Sequence, residues 1–319
     1  MTLSTHNPAQ SPMIITVAAS TPDFTRKGEG DVIELDDGRL LLVYMEFSGD
    51  GSDVAPTRLA AVESTDEGST WSGHRVLTST APGDVNVYSP NLIRANDGGV
   101  LLTFLRQHTS TPVTGTHHVW KSVDGGRSFV TCTEFAAQSD HSLCNAVIKR
   151  LDSGRLLLPT NPVGQSGDSP YGHTYEGAVF YSDDDGTTWH EAPGRVRLPM
   201  RGVMEPHVEQ TRDGRVLMVM RNQLGSVFLS ESTDDGMTWS LPQTTGLSAP
   251  ESCPELTRIP TTGDLLLIWN NSPYDPGFVS HYGKRSPLTA AVSTDEGRTW
   301  GRPRNIEDDP SRAFSNPGC

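Results

Sequence analysis

Ser232-Thr-Asp234-Asp-Gly236-Met-Thr238-Trp239 is an eight-residue phrase that the chain carries five times. The other copies are Ser64-Thr-Asp66-Glu-Gly68-Ser-Thr70-Trp71, Ser122-Val-Asp124-Gly-Gly126-Arg-Ser128-Phe129, Ser182-Asp-Asp184-Asp-Gly186-Thr-Thr188-Trp189 and Ser293-Thr-Asp295-Glu-Gly297-Arg-Thr299-Trp300. The shared form is S-x-D-x-G-x-T-W, with Ser and Phe closing the second copy. Successive starts lie 58, 60, 50 and 61 residues apart, so each phrase marks one structural repeat.

The phrase reads as a turn. Its Asp can accept backbone N–H bonds, and Gly two residues later supplies a positive φ without steric cost. Thr and the aromatic then restart an extended strand. A short apolar run such as Leu59-Ala-Ala-Val or Ala178-Val-Phe-Tyr precedes each copy, so each joins two antiparallel strands. The acidic run Asp183-Asp184-Asp185-Gly186 could suggest calcium, but an EF-hand loop needs a twelve-residue ligand ladder between helices, and none is present.

A second hairpin recurs upstream of each phrase, turning at Gly38, Gly98, Gly154, Gly214 and Gly263 between apolar runs. Two hairpins in series make a four-stranded antiparallel sheet of about the length of a propeller blade. No long segment has helical period. The prediction is an all-β propeller forming a single domain over 1–319.

Nineteen residues follow Trp300, and Ser315-Asn-Pro-Gly-Cys319 parallels Tyr88-Ser-Pro-Asn91 at the opening of another repeat. The N-terminal run Met13-Ile-Ile-Thr-Val-Ala18 could add one strand. The expectation is six-bladed geometry with the sixth blade incomplete in this chain.

A formal charge of −14 argues against nucleic-acid and anionic-membrane partners. Ten of the 39 acidic residues lie inside the five phrases, so part of that acidity belongs to the turns. The polar start, with no apolar h-region and no spanning stretch, predicts a cytoplasmic protein. Cys132, Cys144, Cys253 and Cys319 lack metal-ligand spacing and read as incidental thiols, so neither metal nor cofactor is expected.

Strand parity locates the active face. Both kinds of hairpin turn fall on one face, and the opposite face collects the residues before strand 1 and the loop between strands 2 and 3 of each repeat. That inventory includes Arg26, Glu29, Asp31, Tyr88, His141, Glu205 and Glu251, then Glu46, Asp50, Asp53, Arg106, His108, Tyr171, His173, Arg221, Tyr274, Asp275, His281, Tyr282 and Arg285. Glu29 and Glu205 both lie nine residues before a hairpin glycine, Gly38 and Gly214. Arg106 and Arg221 lie seven after Gly99 and Gly214. Glu205 and Arg221 therefore face each other at the open end of one hairpin, as a functional pair or a structural salt bridge.

In these residues the chain resembles the sialidase superfamily, whose repeats are called Asp-boxes or BNR repeats, over nearly its whole length. Sialidases carry a Glu sixteen residues before an Arg across a D-G-R hairpin, as in Glu205…Asp213-Gly-Arg215…Arg221. Another sialidase Arg stands eight before a late box, as Arg285 does before Ser293. The acid/base Asp lies upstream of the first box, where Asp53 fits and Asp50 is second choice. Two elements differ. The N-terminal R-I-P arginine should fall near Gly28, where Arg26 sits two residues off and Arg106 is a stand-in from the second repeat. The nucleophilic Tyr should follow the last box, where this chain has Phe314.

The resemblance implies an exo-glycosidase acting on a terminal acidic sugar. Asp53 would protonate the leaving oxygen, Glu205 would be the base, and Arg221 and Arg285 would clamp a carboxylate, with Arg26, Glu29 and Arg106 also binding substrate. The expected partner is a carbohydrate. A non-catalytic glycan-binding propeller, a sugar lyase and a protein-contact propeller are the alternatives.

Overall fold

A computed structural model describes residues 14–110, 113–136, 141–164, 174–278 and 281–318. Among these residues every regular element is a β-strand, and no helix is long and apolar enough to cross a membrane. The strands form five separate antiparallel sheets. Blade one holds β1 (Arg26–Glu34), β2 (Leu40–Phe47), β3 (Thr57–Ser64) and β4 (Ser72–Ser79), and blade two holds β5 (Asn86–Arg94), β6 (Val100–Ser110), β7 (Val113–Ser122) and β8 (Val130–Ala136). In blade three the inner strand is split into β9 (His141–Leu143) and β10 (Lys149–Arg150), both pairing with β11 (Leu156–Pro162), followed by β12 (Ala178–Ser182) and β13 (His190–Glu191). Blade four has β14 (Met204–Gln210), β15 (Val216–Arg221), β16 (Ser226–Ser232) and β17 (Gln243–Ser248). Blade five has β18 (Glu255–Arg258), β19 (Leu265–Asn270), β20 (Leu288–Ser293) and β21 (Arg304–Glu307).

Each repeated phrase is the turn between the third and fourth strands, and its Asp is fully used there. Asp234 accepts the Thr238 amide at 2.8 Å, the Thr238 hydroxyl at 2.5 Å and the Ser232 hydroxyl at 2.7 Å, while the Ser232 Oγ accepts the Gly236 amide at 2.9 Å. The same Asp bonds recur in the other four copies. Both carboxylate oxygens thereby accept hydrogen bonds from within the turn, as the turn reading of the phrase requires.

Its glycine has a second duty. A Cβ on Gly126 would come within 2.4 Å of Leu41 in the preceding blade, and the same holds for Gly186 against Leu101 at 3.0 Å, Gly236 against Leu157 at 3.0 Å and Gly297 against Leu217 at 2.6 Å. Only a residue without a side chain lets the blades approach this closely. The hairpin arginines add to the lock: Arg155 donates to the Asp235 carbonyl and Arg215 to that of Glu296, each in the next blade. Apolar clusters fill each interface from blade one through blade five, with Phe129, Trp189, Trp239 and Trp300 packed against them.

The blade count corrects the expectation: among the described residues there are five blades, not six. The series of glycine locks breaks at blade one, where Gly68 meets Leu40 of its own blade instead of a neighbour. None of the apolar clusters joins blade five to blade one. Val17 and Ala18 cover part of blade one. After β21 the polar run 308–318 forms no strand, because it lacks the paired apolar stretches that two hairpins require. It crosses towards the axis instead, with the Phe314 amide on the Arg285 carbonyl at 2.8 Å.

Candidate functional site

A cavity of about 710 Å³ opens on the face opposite the repeated turns. Glu29 and Glu205 enter it from β1 and β14 through a shared local device. Each sits at a break in strand register, between Gly28 and Asp31 and between Met204 and His207, in a left-handed conformation with φ of 52° and 45°. Ser89 stands at the same break in β5 with φ 52°. A β-bulge re-aims a side chain, and here it recurs on the inner strand nine residues before the hairpin glycine. Asn316 in the C-terminal run also has φ 52° and precedes a proline, as Ser89 and Glu205 do, and it lines the same cavity.

The cavity gathers Arg26, Arg201, Arg221 and Arg285 in a strongly acidic protein. Arg221 is 11 % exposed and bridges Glu205 and Glu251, each at 2.9 Å, so the pair read across the hairpin is an ion pair. Glu251 is held further by Arg201 at 2.7 Å and by Gln223 at 2.8 Å. Arg285 differs. Among the described residues it makes no ion pair and donates only to the Glu251 carbonyl at 3.3 Å. Burial first, then the neighbouring Arg221, lower its hold on its proton. Arg285 is thus a cavity guanidinium that no carboxylate among the described residues pairs with directly, although Glu205 and Glu251 act on it from farther off.

Around Arg26 the arrangement is different. Arg26 pairs with Glu29 and, at 2.5 Å, with Asp53, and lies over the Phe47 ring. Burial pushes the Glu29 carboxyl up to about 7 against the opposing pull of Arg26, and Asp53 and Glu205 push it further up. Tyr88 lines the cavity with Glu29, and its phenol is raised well above its usual range, first by Glu29 and then by burial.

Asp53, Glu205, Arg26, Glu29, Arg221 and Arg285 all line the one cavity. Two expectations change. Asp53 is at the rim with its side chain 74 % exposed, whereas a carboxyl that protonates a leaving oxygen is ordinarily kept protonated by partial burial. Arg106 is outside the cavity, bonded to Asp84 at 3.2 Å and Thr78 at 2.7 Å. The seven-residue offset to Arg106 runs from Gly99, but the hairpin residue with positive φ is Gly98. Counting from Gly98 makes Leu105 the counterpart of Arg221, and Leu105 does line the cavity. A one-residue slip in a strand reverses the face. Asn161, seven after Gly154, obeys the same rule and accepts the Glu205 amide at 3.1 Å.

Other members of the inventory serve the scaffold. Glu46 is buried on Lys27 and Arg58, Asp50 accepts the Ser52 amide, and His108 pairs with Asp84. Tyr171 and His173 lie outside the described residues. Arg201, Tyr175 and Asn161 line the cavity without having been singled out. For Asn161 the seven-residue offset was the available signal. Arg201 lies in the link between blades three and four, where no repeat offset marks it.

The model of the BNR repeat-like domain family matches residues 84–318. No curated protein matches the chain. Among solved structures, a protein of unknown function from Dyadobacter fermentans superposes with TM-score 0.71 at 19% identity, covering 92% of this chain and 86% of that one. A Hadza microbial sialidase gives TM-score 0.71 at 17% identity, with 90% and 60% covered. The Trypanosoma rangeli sialidase in complex with the inhibitor DANA gives 0.64 at 15% identity, with 88% and 48% covered, so this chain spans about half the length of that protein. These likenesses establish the sialidase-like propeller fold.

Proposed function

Since this chain belongs to the BNR repeat-like domain family, we propose that its axial cavity binds a terminal acidic sugar and cleaves the bond joining it to a glycan. The observation that carries this is Arg285, a partly buried guanidinium with no carboxylate partner beside Arg221, in a cavity of the size that takes a monosaccharide. A sugar carboxylate would supply the missing counter-ion by paired N–H bonds. Glu205 and Glu251 orient Arg221 for that contact.

The chemistry is assigned to Tyr88, Glu29 and Asp53, which line the same cavity. Glu29 accepts the phenolic proton of Tyr88 as the phenol oxygen bonds to the anomeric carbon. The glycosidic C–O bond breaks, and the leaving oxygen takes a proton from Asp53 at the rim. Water then attacks the anomeric carbon and gives a proton to Asp53, while the tyrosyl C–O bond breaks and Glu29 returns its proton to the phenol oxygen. A group titrating near 7 suits such a base. In this reading Glu205 holds Arg221, and the base role falls to Glu29. Tyr88 takes the part that Phe314, which has no hydroxyl, cannot play.

A fluorogenic sialoside tests the reading against a neutral glycoside with the same leaving group. Turnover of the acidic substrate alone is expected. Saturable binding of free N-acetylneuraminate without turnover of any acidic glycoside would instead support a glycan-binding propeller. Failure of both would refute the proposal.

A further inference from the structure

At the floor of the cavity three soft donors from three blades come together. Cys144 precedes the bulge between β9 and β10, His207 is on β14, and Cys253 lies just before β18. All three are buried, and their donor atoms lie within 4.8 Å of one another. The two sulfurs are 3.8 Å apart, and Cys253 Sγ is 3.4 Å from His207 Nε2. We infer that Cys144, Cys253 and His207 form a zinc site that fastens blades three, four and five at the propeller axis.

The distances carry the argument. A tetrahedral zinc with Zn–S of about 2.3 Å and Zn–N of about 2.0 Å requires S···S near 3.8 Å and S···N near 3.5 Å. The Cys144–Cys253 and Cys253–His207 edges match these values, and the Cys144–His207 edge lies within 4.8 Å, close enough for a small shift of the Cys144 side chain to complete the site. A disulfide would need the sulfurs to close to about 2.05 Å. The remaining ring nitrogen of His207 lies 3.3 Å from Glu255 Oε2, and Glu255 is fully buried. A carboxylate behind a histidine fixes the tautomer that presents Nε2 to a metal.

Charge fits as well. Zn²⁺ would displace one proton from each thiol to solvent, leaving a neutral Zn–dithiolate–imidazole unit that adds no net negative charge near Glu29, Glu205 and Glu255. A water completes the coordination. Cys144 lines the cavity, which gives the ion a way in. The site adjoins the acidic-sugar cavity but uses neither Arg221 nor Arg285 as a ligand, so metal binding is tested without reference to that reading.

The test uses the full chain, reduced and stripped with a chelator, then titrated with Zn²⁺ and separately with Co²⁺. One equivalent of Zn²⁺ should bind and raise Tm. Co²⁺ should give the near-ultraviolet thiolate-to-metal band and the intense visible bands of a tetrahedral thiolate site. Cys144→Ser and Cys253→Ser should each weaken zinc binding about 100-fold or more, and Glu255→Gln by about 10–100-fold. If a serine variant does not fold, the cobalt spectrum of the wild type still reports whether thiolates bind the ion. A reduced wild-type protein with no thiolate–cobalt band overturns the inference. So does zinc retained unchanged by folded Cys144→Ser and Cys253→Ser.

Discussion

Replacing Arg285 with Met should remove preference for acidic sugars while leaving the propeller at least as stable as before. Arg285 forms no ion pair among the described residues, so its removal strands no carboxylate, and it relieves a partly buried charge beside Arg221. The lost contact with ligand is a pair of charge-assisted hydrogen bonds, each worth about 1.5–3 kcal/mol, so even one bond corresponds to a loss on the order of 10–150-fold. Arg221→Met is the contrast. It leaves Glu205 without its 2.9 Å partner and takes one of two arginines from Glu251, which is 3 % exposed. Breaking such a buried pair costs about 3–5 kcal/mol, so that variant should lose stability as well as binding. Calorimetric titration with N-acetylneuraminate and with neutral N-acetylmannosamine, beside thermal unfolding of each variant, separates the two. Equal weakening of both sugars by Arg285→Met would refute the reasoning, as would a loss of stability matching that of Arg221→Met.

Tyr88→Phe should cut turnover of an acidic glycoside by on the order of 10³-fold or more with ligand affinity nearly unchanged, and residual activity close to wild type would remove Tyr88 from the mechanism. As the base, Glu29 must be unprotonated, so kcat/KM should rise with pH through about 7, and Glu29→Gln should abolish that rise. Asp31 is buried, accepts the Leu92 amide at 2.7 Å, and is pushed by burial up to about 7. The folded state therefore keeps a proton that the unfolded chain releases near pH 4. This contribution is complete below pH 4 and lost as pH rises through about 7, at most on the order of 4 kcal/mol, and Asp31→Asn should flatten the decline in denaturant-measured stability. Asp234→Ala deletes three hydrogen bonds in an exposed turn, and unfolding should show a loss of about 1–3 kcal/mol that added calcium does not change in the wild type.

What could be read before the structure was local in sequence. A hairpin glycine fixes the parity of both its strands, so Glu29, Glu205 and Arg221 could be assigned to one face by counting, and the same count failed for Arg106 when it started one residue late at Gly99. The box turn was legible because all its partners lie within eight residues. Its glycine's second duty, seating a leucine from the blade before, was not, since Gly126 and Leu41 are a whole repeat apart. That contact marks where the series of blades breaks, because the nearest atoms to a Cβ on Gly68 belong to Leu40 and Trp71 of its own blade instead of a leucine from another.

The thiol–imidazole cluster is the extreme case of the same limit. Spacing rules detect metal ligands that share a turn or a hairpin, whereas Cys144, His207 and Cys253 reach one point only because a propeller brings the start of every blade to its axis. The bulge position shows the same convergence. Glu29, Ser89 and Glu205 occupy it in blades one, two and four, and Asn316 repeats its φ and its following proline in the C-terminal run. A Cβ on Gly318 would come within 2.9 Å of the Gly30 carbonyl and 3.2 Å of Asn145 Nδ2, so this run packs against blades one and three at the axis. The likeness of Ser315-Asn-Pro-Gly to Tyr88-Ser-Pro-Asn91 was thus a likeness of backbone conformation. In this molecule it supplies a wall of the cavity without building a sixth blade.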